Sequence, residues 1–227
     1  MILKEDCYLK DNCKKFKNNT CTEDFCIRLF NIDTLYNKAQ LSEIQKQPVN
    51  LTLEVNDPDE MAFFRLNQIE QGIQEYVKTG NNLYIHSSIC GNGKTAWALK
   101  LLRAYINEVW PETTECRAIF INVPRFLISL KASISETDEY VDDIKSNILK
   151  ADLIVWDEIG IKDLTTYEHE QLLNFINTRI DFGKSNIYTS NMDPEELRQA
   201  IGERLYSRIV TLSEEITFAG RDKRGLK

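Results

Sequence analysis

Apolar and polar positions follow two different rhythms along the chain, and the change falls near residue 57. Before it, residues 25–42 carry Ile27, Phe30, Leu35 and Leu41 at spacings that suit the buried side of a helix. Residues 45–57 hold Pro48, Asn50 and Asn56 without helical period and read as a linker. After it, Met61, Phe64, Leu66, Ile69, Ile73 and Tyr76 mark an amphipathic helix that stops at Gly80. Short apolar runs follow at 83–86, 118–122, 152–156, 185–189 and 215–219, with helical stretches between the first four. Strands joined through helices of this length predict a parallel sheet covered on both faces. The expected organisation is α/β: an amino-terminal unit at 1–46, a linker at 47–57 and a larger unit at 58–227, with no internal repeat.

Composition narrows the function classes. The chain has 227 residues, 42% of them hydrophobic and 28% charged, which is ordinary for a globular protein with a real core. Its net charge of −7 argues against a protein that coats duplex DNA, since such binding neutralises many phosphates with Lys and Arg. No stretch reaches the roughly 18 apolar residues of a membrane span, and the first 17 residues are too charged for a signal peptide. A cytoplasmic location without membrane contact is therefore expected.

Two motifs carry chemistry. Leu83-Tyr84-Ile85-His86-Ser87-Ser88-Ile89-Cys90-Gly91-Asn92-Gly93-Lys94-Thr95 reads as strand, tight loop and helix start, the context of a Walker A motif. Ser88 stands where the first glycine usually lies. Gly91, Asn92, Gly93, Lys94, Thr95 and Ala96 are the expected cradle for ATP or ADP, with Lys94 reaching the β and γ phosphates and Thr95 ligating magnesium. About sixty residues downstream, Leu153-Ile154-Val155-Trp156-Asp157-Glu158 is an apolar strand ending in two acids, as in Walker B. A buried strand has no use for paired carboxylates at its end unless something cationic or reactive lies beyond it. Asp157 is expected to hold the magnesium shell, and Glu158 to act as general base on the attacking water.

The next strand runs into Asn191, whose amide suits both a γ-phosphate contact and orientation of the water. Further on, Gly202-Glu203-Arg204-Leu205-Tyr206-Ser207-Arg208-Ile209 spaces two arginines four apart on one helical face. In a ring- or filament-forming ATPase, an arginine delivered from a neighbouring subunit stabilises transition-state charge. Arg208 is assigned that role, with Arg204 as the alternative or as a second interface contact.

Four of the six cysteines, Cys7, Cys13, Cys21 and Cys26, fall in the first 26 residues. In a reducing compartment they point to a structural zinc site rather than disulfides, although the tight C-x-x-C pairs of common ribbons are missing and free thiols stay open. Cys90 and Cys116 read as small buried residues. The helix opened by Pro124, with Arg125, Phe126 and Lys131, has the charge and aromatic content of a single-strand contact, but Phe126, Leu127 and Leu130 read equally as core.

On Cys90-Gly91-Asn92-Gly93-Lys94-Thr95, Ile121-Asn122-Val123-Pro124, Trp156-Asp157-Glu158-Ile159-Gly160, Thr189-Ser190-Asn191 and Glu203-Arg204-Leu205-Tyr206-Ser207-Arg208, joined to a cysteine-rich front, the chain resembles the DnaC/DnaI-type loaders of replicative DNA helicase, particularly phage-borne versions. The resemblance implies a AAA+ P-loop ATPase core, a parallel sheet between helices, with a small zinc-binding domain in front. It implies that the front domain grips the hexameric helicase while the ATPase domain self-associates and touches single-stranded DNA in a bacterial host cell. In such proteins Asn191 corresponds to sensor 1 and Arg208 to the arginine finger. The chain stops soon after Ala219, so no carboxy-terminal lid is expected, and Arg221 and Arg224 read equally as candidates for sensor 2 and as a solvated basic tail. The alternatives are an IstB-like ATPase helper of a DNA transposase and a nucleotide-stabilised adaptor or antagonist of the helicase.

Overall fold

The computed structural model describes residues 7–10, 13–21, 25–49, 51–54, 56–135, 137–160 and 164–223. In chain order the elements are α1 (Lys14–Lys17), α2 (Ile27–Lys38), α3 (Glu43–Lys46), α4 (Glu60–Gln71), α5 (Ile73–Lys78), β1 (Asn82–His86), α6 (Lys94–Val109), β2 (Ala118–Asn122), α7 (Val123–Ala132), α8 (Glu139–Asn147), β3 (Leu153–Asp157), α9 (Thr166–Asp181), β4 (Ser185–Ser190), α10 (Pro194–Tyr206), a π-helical turn (Ser207–Thr211) and β5 (Glu214–Thr217).

The strands form one parallel sheet in the order β2-β3-β4-β1-β5. Because successive strand residues point to opposite faces, each strand feeds two cores. Leu83, Ile85, Phe120, Leu153, Val155 and Ile187 pack with α2, α4, α5 and α6 on one side. Tyr84, Ile119, Ile121, Ile154, Trp156 and Tyr188 pack with α7 to α10 on the other. Burial on both faces explains why the strands read as continuous apolar runs rather than alternating ones. Reversals of strand order open a crevice at the carboxyl ends of β1, β3 and β4.

The opposite end of the sheet is fastened by Arg179, which is fully buried. Its guanidinium donates to the carbonyls of Ile148, Ala151, Asp152 and Ser185 and to Asn186 Oδ1. Burial pulls its pKa down to about 10.

Helix faces follow the sequence expectation at Leu35, Leu41, Leu66, Ile69 and Ile73 and depart from it toward the helix starts. The helix expected from residue 57 to Gly80 is two helices meeting at Gly72, and Met61 and Phe64 are exposed while Ala62, Phe63 and Leu66 are buried. The pair Phe63-Phe64 fits either face by period alone. Phe63 is drawn inward because its ring meets Trp97 edge-on at 5.0 Å and Phe218 at 5.9 Å. In α2, Ile27 and Phe30 are likewise exposed, whereas Ile32, Leu35 and Tyr36 are buried against α6. Tyr8 and Leu9 join the same core, so the amino-terminal segment packs on the larger unit. Phe120 N also donates to Ala39 O at 2.9 Å, which satisfies part of the β2 edge. Among the described residues, no helix is long and apolar enough to cross a membrane.

Candidate nucleotide site

The loop from β1 to α6 wraps tightly because Gly91 (φ 76°) and Gly93 (φ 107°) take left-handed backbone angles that a side chain disfavours. Among the described residues, the non-glycine positions with positive φ are Asn19, Gln40, Asn56 and Glu158. Ser88 therefore replaces the first motif glycine without left-handed strain. Asn92 is fully buried and ties the loop together, its Nδ2 donating to Ser87 Oγ at 2.8 Å. Lys94 Nζ donates to the carbonyls of Ile89 (2.8 Å) and Ser87 (3.3 Å) and to Asn92 Oδ1 (3.2 Å). These neutral oxygens are partners that a polyphosphate, with full charge, can replace.

β3 delivers Asp157 to the first turn of α6. Thr95 Oγ1 donates to Asp157 Oδ1 at 2.7 Å, and Thr189 Oγ1 donates to the same oxygen at 2.7 Å. Burial raises the Asp157 pKa, offset in part by the hydrogen bonds from Thr189, Thr95 and Asn122, while the Glu158 charge adds to it. A hydroxyl and a carboxylate in contact beside a lysine are hard oxygen donors that fit a partly hydrated magnesium ion. Glu158 is exposed at the crevice with φ 60°, a strained angle fixed by Glu158 N donating to Thr189 Oγ1 (3.0 Å) and Ile159 N to Thr189 O (2.8 Å).

These elements enclose a cavity of about 410 Å³ lined by Gly91, Asn92, Gly93, Lys94, Thr95 and Ala96 from the loop, with Glu158 and Asn191 opposite. Cys90 also lines it and is exposed, which corrects its reading as a buried residue. Cys116 is half-buried, and burial pushes its thiol up to about 11.

Two residues here were given no role of their own in the sequence. Thr189 bridges Asp157 to the backbone of Glu158. Asn122 ends β2 in register with Asp157, and its Nδ2 donates to Glu158 Oε2 at 3.1 Å. The available signal was the same for both: a polar side chain at the carboxyl end of an apolar strand beside the Asp-Glu pair.

The arginines lie elsewhere. Neither Arg204 nor Arg208 lines the cavity of its own chain. α10 is kinked at Gly202 and passes into the π-helical turn at Ser207, so the two arginines do not share the regular helical face that their spacing suggested. Arg204 is exposed, and Arg208 is half-buried with Nε donating to Asn177 Oδ1 at 2.6 Å. Arg221 pairs with Glu54 at 2.5 Å and does not line the cavity, and Arg224 lies outside the described residues. On α7, Phe126 is fully buried and offers no stacking surface, while Arg125 sits over the Tyr140 ring at 4.9 Å.

Cys7, Cys13, Cys21 and Cys26 are half-buried free thiols. Burial raises the Cys7 pKa, and the charges of Cys26, Cys13 and Cys21 add to it, so the four share one electrostatic neighbourhood. Among the described residues, however, no three His, Cys, Asp or Glu side chains come close enough to hold a metal ion.

The family model described as the bacterial DnaA ATPase domain matches residues 58–212. The fold is similar to the crystal structure of the DnaC helicase loader, at TM-score 0.60 and 19% identity over 74% of this chain and 93% of that one. A primosome component from Streptococcus pyogenes serotype M3, described as putative, aligns at TM-score 0.60 and 20% identity over 84% of this chain and 98% of its own. DnaI aligns at TM-score 0.56 and 18% identity over 76% of this chain and 88% of its own. No curated protein sequence matches.

Proposed function

The chain belongs to the family of bacterial DnaA ATPase domains, and from that premise we propose that it is a magnesium-dependent ATPase that loads the replicative hexameric helicase onto single-stranded DNA, with ATP binding and hydrolysis as the switch. The observation that carries this reading is the 2.7 Å contact between Thr95 and Asp157, made where Lys94 and Glu158 line one cavity. In that arrangement Lys94 would bind the phosphates, and Thr95 and Asp157 would hold magnesium, which would supply charge neutralisation at the phosphates. Glu158 takes a proton from the attacking water, and Asn191 orients that water.

The loader reading over a free-standing initiator is supported by the extent of the likeness, which takes in 93% of the chain in the DnaC loader structure and 98% of the chain in the primosome-component structure. In this reading residues 1–46 form the helicase-gripping unit, 47–57 the linker and 58–227 the ATPase unit. Copies associate in the cytoplasm through the ATPase unit, so that Arg208, or Arg204, reaches the phosphates of a neighbour. Zinc on Cys7, Cys13, Cys21 and Cys26 belongs to the same proposal, the thiols closing on the metal as it binds. The test is co-purification with a replicative helicase, followed by ATP-dependent transfer of that helicase to closed circular single-stranded DNA. Helicase that neither binds the protein nor reaches the circle in its presence contradicts the loader reading.

A further inference from the structure

The loop that carries Lys94 is fastened from outside by the segment that follows β5. Phe218 N donates to His86 O at 2.9 Å and continues the parallel pairing of β5 with β1. The chain then crosses the loop itself. Lys223 N donates to Gly91 O at 2.9 Å, and Asn92 Nδ2 donates to Gly220 O at 3.5 Å. Residues 218–223 lie beyond the portion matched by the family model, which ends at residue 212. The atom they hold matters. A trans peptide sets its C=O and N–H on opposite sides, so a Gly91 carbonyl held toward the tail turns the Asn92 N–H away from it. Successive backbone N–H groups of such a loop form its anion-binding concavity.

Two acids at the start of α4 anchor this segment. Asp59 is only 1% exposed, and its Oδ1 accepts from Ala219 N at 2.7 Å and from Gly220 N at 2.9 Å. The carboxylate presses so closely on Gly220 that a Cβ there would overlap Asp59 Oδ2. Lys223 Nζ lies 3.0 Å from Asp57 Oδ2 and 3.7 Å from Asp59 Oδ2, and sits 4.7 Å from the centre of the Phe63 ring. A buried carboxylate is costly unless it is paired and hydrogen-bonded, so Asp59 holds the tail as firmly as the tail satisfies Asp59. The tail thus spans from the start of α4 to the phosphate loop.

We infer that residues 218–223 form a strap that holds the phosphate loop in its anion-accepting shape through the Lys223–Gly91 backbone contact, with Asp59 as the positioning residue that anchors it. This rests on the nucleotide reading of the Lys94 loop and deepens it. By linkage, a strap that favours polyphosphate binding is itself held in place by bound polyphosphate, by the same factor.

The experiment measures equilibrium binding of two probes, ADP and inorganic tripolyphosphate, to the full chain. Lys223→Pro deletes the N–H that reaches Gly91 O, whereas Lys223→Ala keeps it and removes only the ammonium. Lys223→Pro is expected to lose affinity for both probes alike, by about three- to tenfold, the range of one net hydrogen bond, and Lys223→Ala to lose less. Asp59→Ala is expected to match Lys223→Pro, and Asp59→Asn, which keeps Oδ1 as an acceptor, to recover most of the loss. Wild-type affinity for both probes in Lys223→Pro overturns the inference, whether or not Asp59→Ala folds. A loss confined to ADP overturns it too, because the phosphate cradle serves both probes, as does an equal loss in Lys223→Ala. Wild-type protein that binds neither probe, with Lys94→Ala indistinguishable from it, overturns the nucleotide reading itself and the strap's role with it.

Discussion

Asn122 Nδ2 donates to Glu158 Oε2 at 3.1 Å, while Asn122 Oδ1 accepts from Arg125 N at 3.2 Å and so caps α7. One side chain thus joins the proposed general base to a helix on the surface. A carboxylate engaged by an amide is withheld from the water it must deprotonate, so Asn122→Ala is expected to raise basal ATP turnover. The lost cap should lower thermal stability by about 1 kcal/mol. Steady-state turnover and a melting curve check both; unchanged turnover removes Asn122 from the mechanism.

The 2.6 Å contact of Arg208 with Asn177 keeps this arginine on its own α9, away from its own phosphate loop. Arg208→Ala should leave nucleotide affinity largely intact and lower turnover by about 10³-fold. Mixed with Glu158→Gln subunits, which keep Arg208, the Arg208→Ala protein should recover hydrolysis. If mixed assemblies form and no activity returns, action of Arg208 across a subunit boundary is refuted.

Zinc on the amino-terminal thiols predicts about one metal ion per chain by elemental analysis of reduced protein. Cys21→Ser should lower metal content and helicase binding. Metal-free purified protein that still binds helicase refutes the zinc proposal.

Asp152 at the opposite end of the sheet pairs with Lys184 at 2.7 Å and with Arg117, and accepts from Tyr105 OH at 3.0 Å. Burial opposes ionisation, but these partners hold its pKa below the ordinary carboxylate value. A lowered folded-state pKa gives stability that is fully present above the unfolded value of about 3.9 and is lost as pH falls through the folded value. Asp152→Asn should therefore cost about 1–3 kcal/mol at neutral pH, and the difference from wild type should vanish at strongly acid pH. Denaturant titrations at the two pH values measure this.

The sheet, its parallel sense and the placement of Lys94, Thr95, Asp157 and Glu158 beside one crevice were legible because each motif sits at the carboxyl end of an apolar run. Side-chain choices between adjacent apolar residues were not. Phe63 and Phe64 are equivalent by period, and only packing against Trp97 selects the first. The π-helical turn at Arg208 was hidden for a similar reason, since a sequence period of 3.6 does not announce a local change of helix type. Val49 lines the cavity although its segment was read as linker, because that segment is placed by Arg103 donating to Gln45 O across a long sequence separation.

The most direct measurement is magnesium-dependent ATP turnover by wild-type protein and by Glu158→Gln, read beside equilibrium ATP binding. The account predicts that Glu158→Gln binds ATP as the wild type does and loses turnover by about 10²-fold or more, because the Thr95–Asp157 pair survives while the general base is gone. Hydrolysis by Glu158→Gln at the wild-type rate contradicts it.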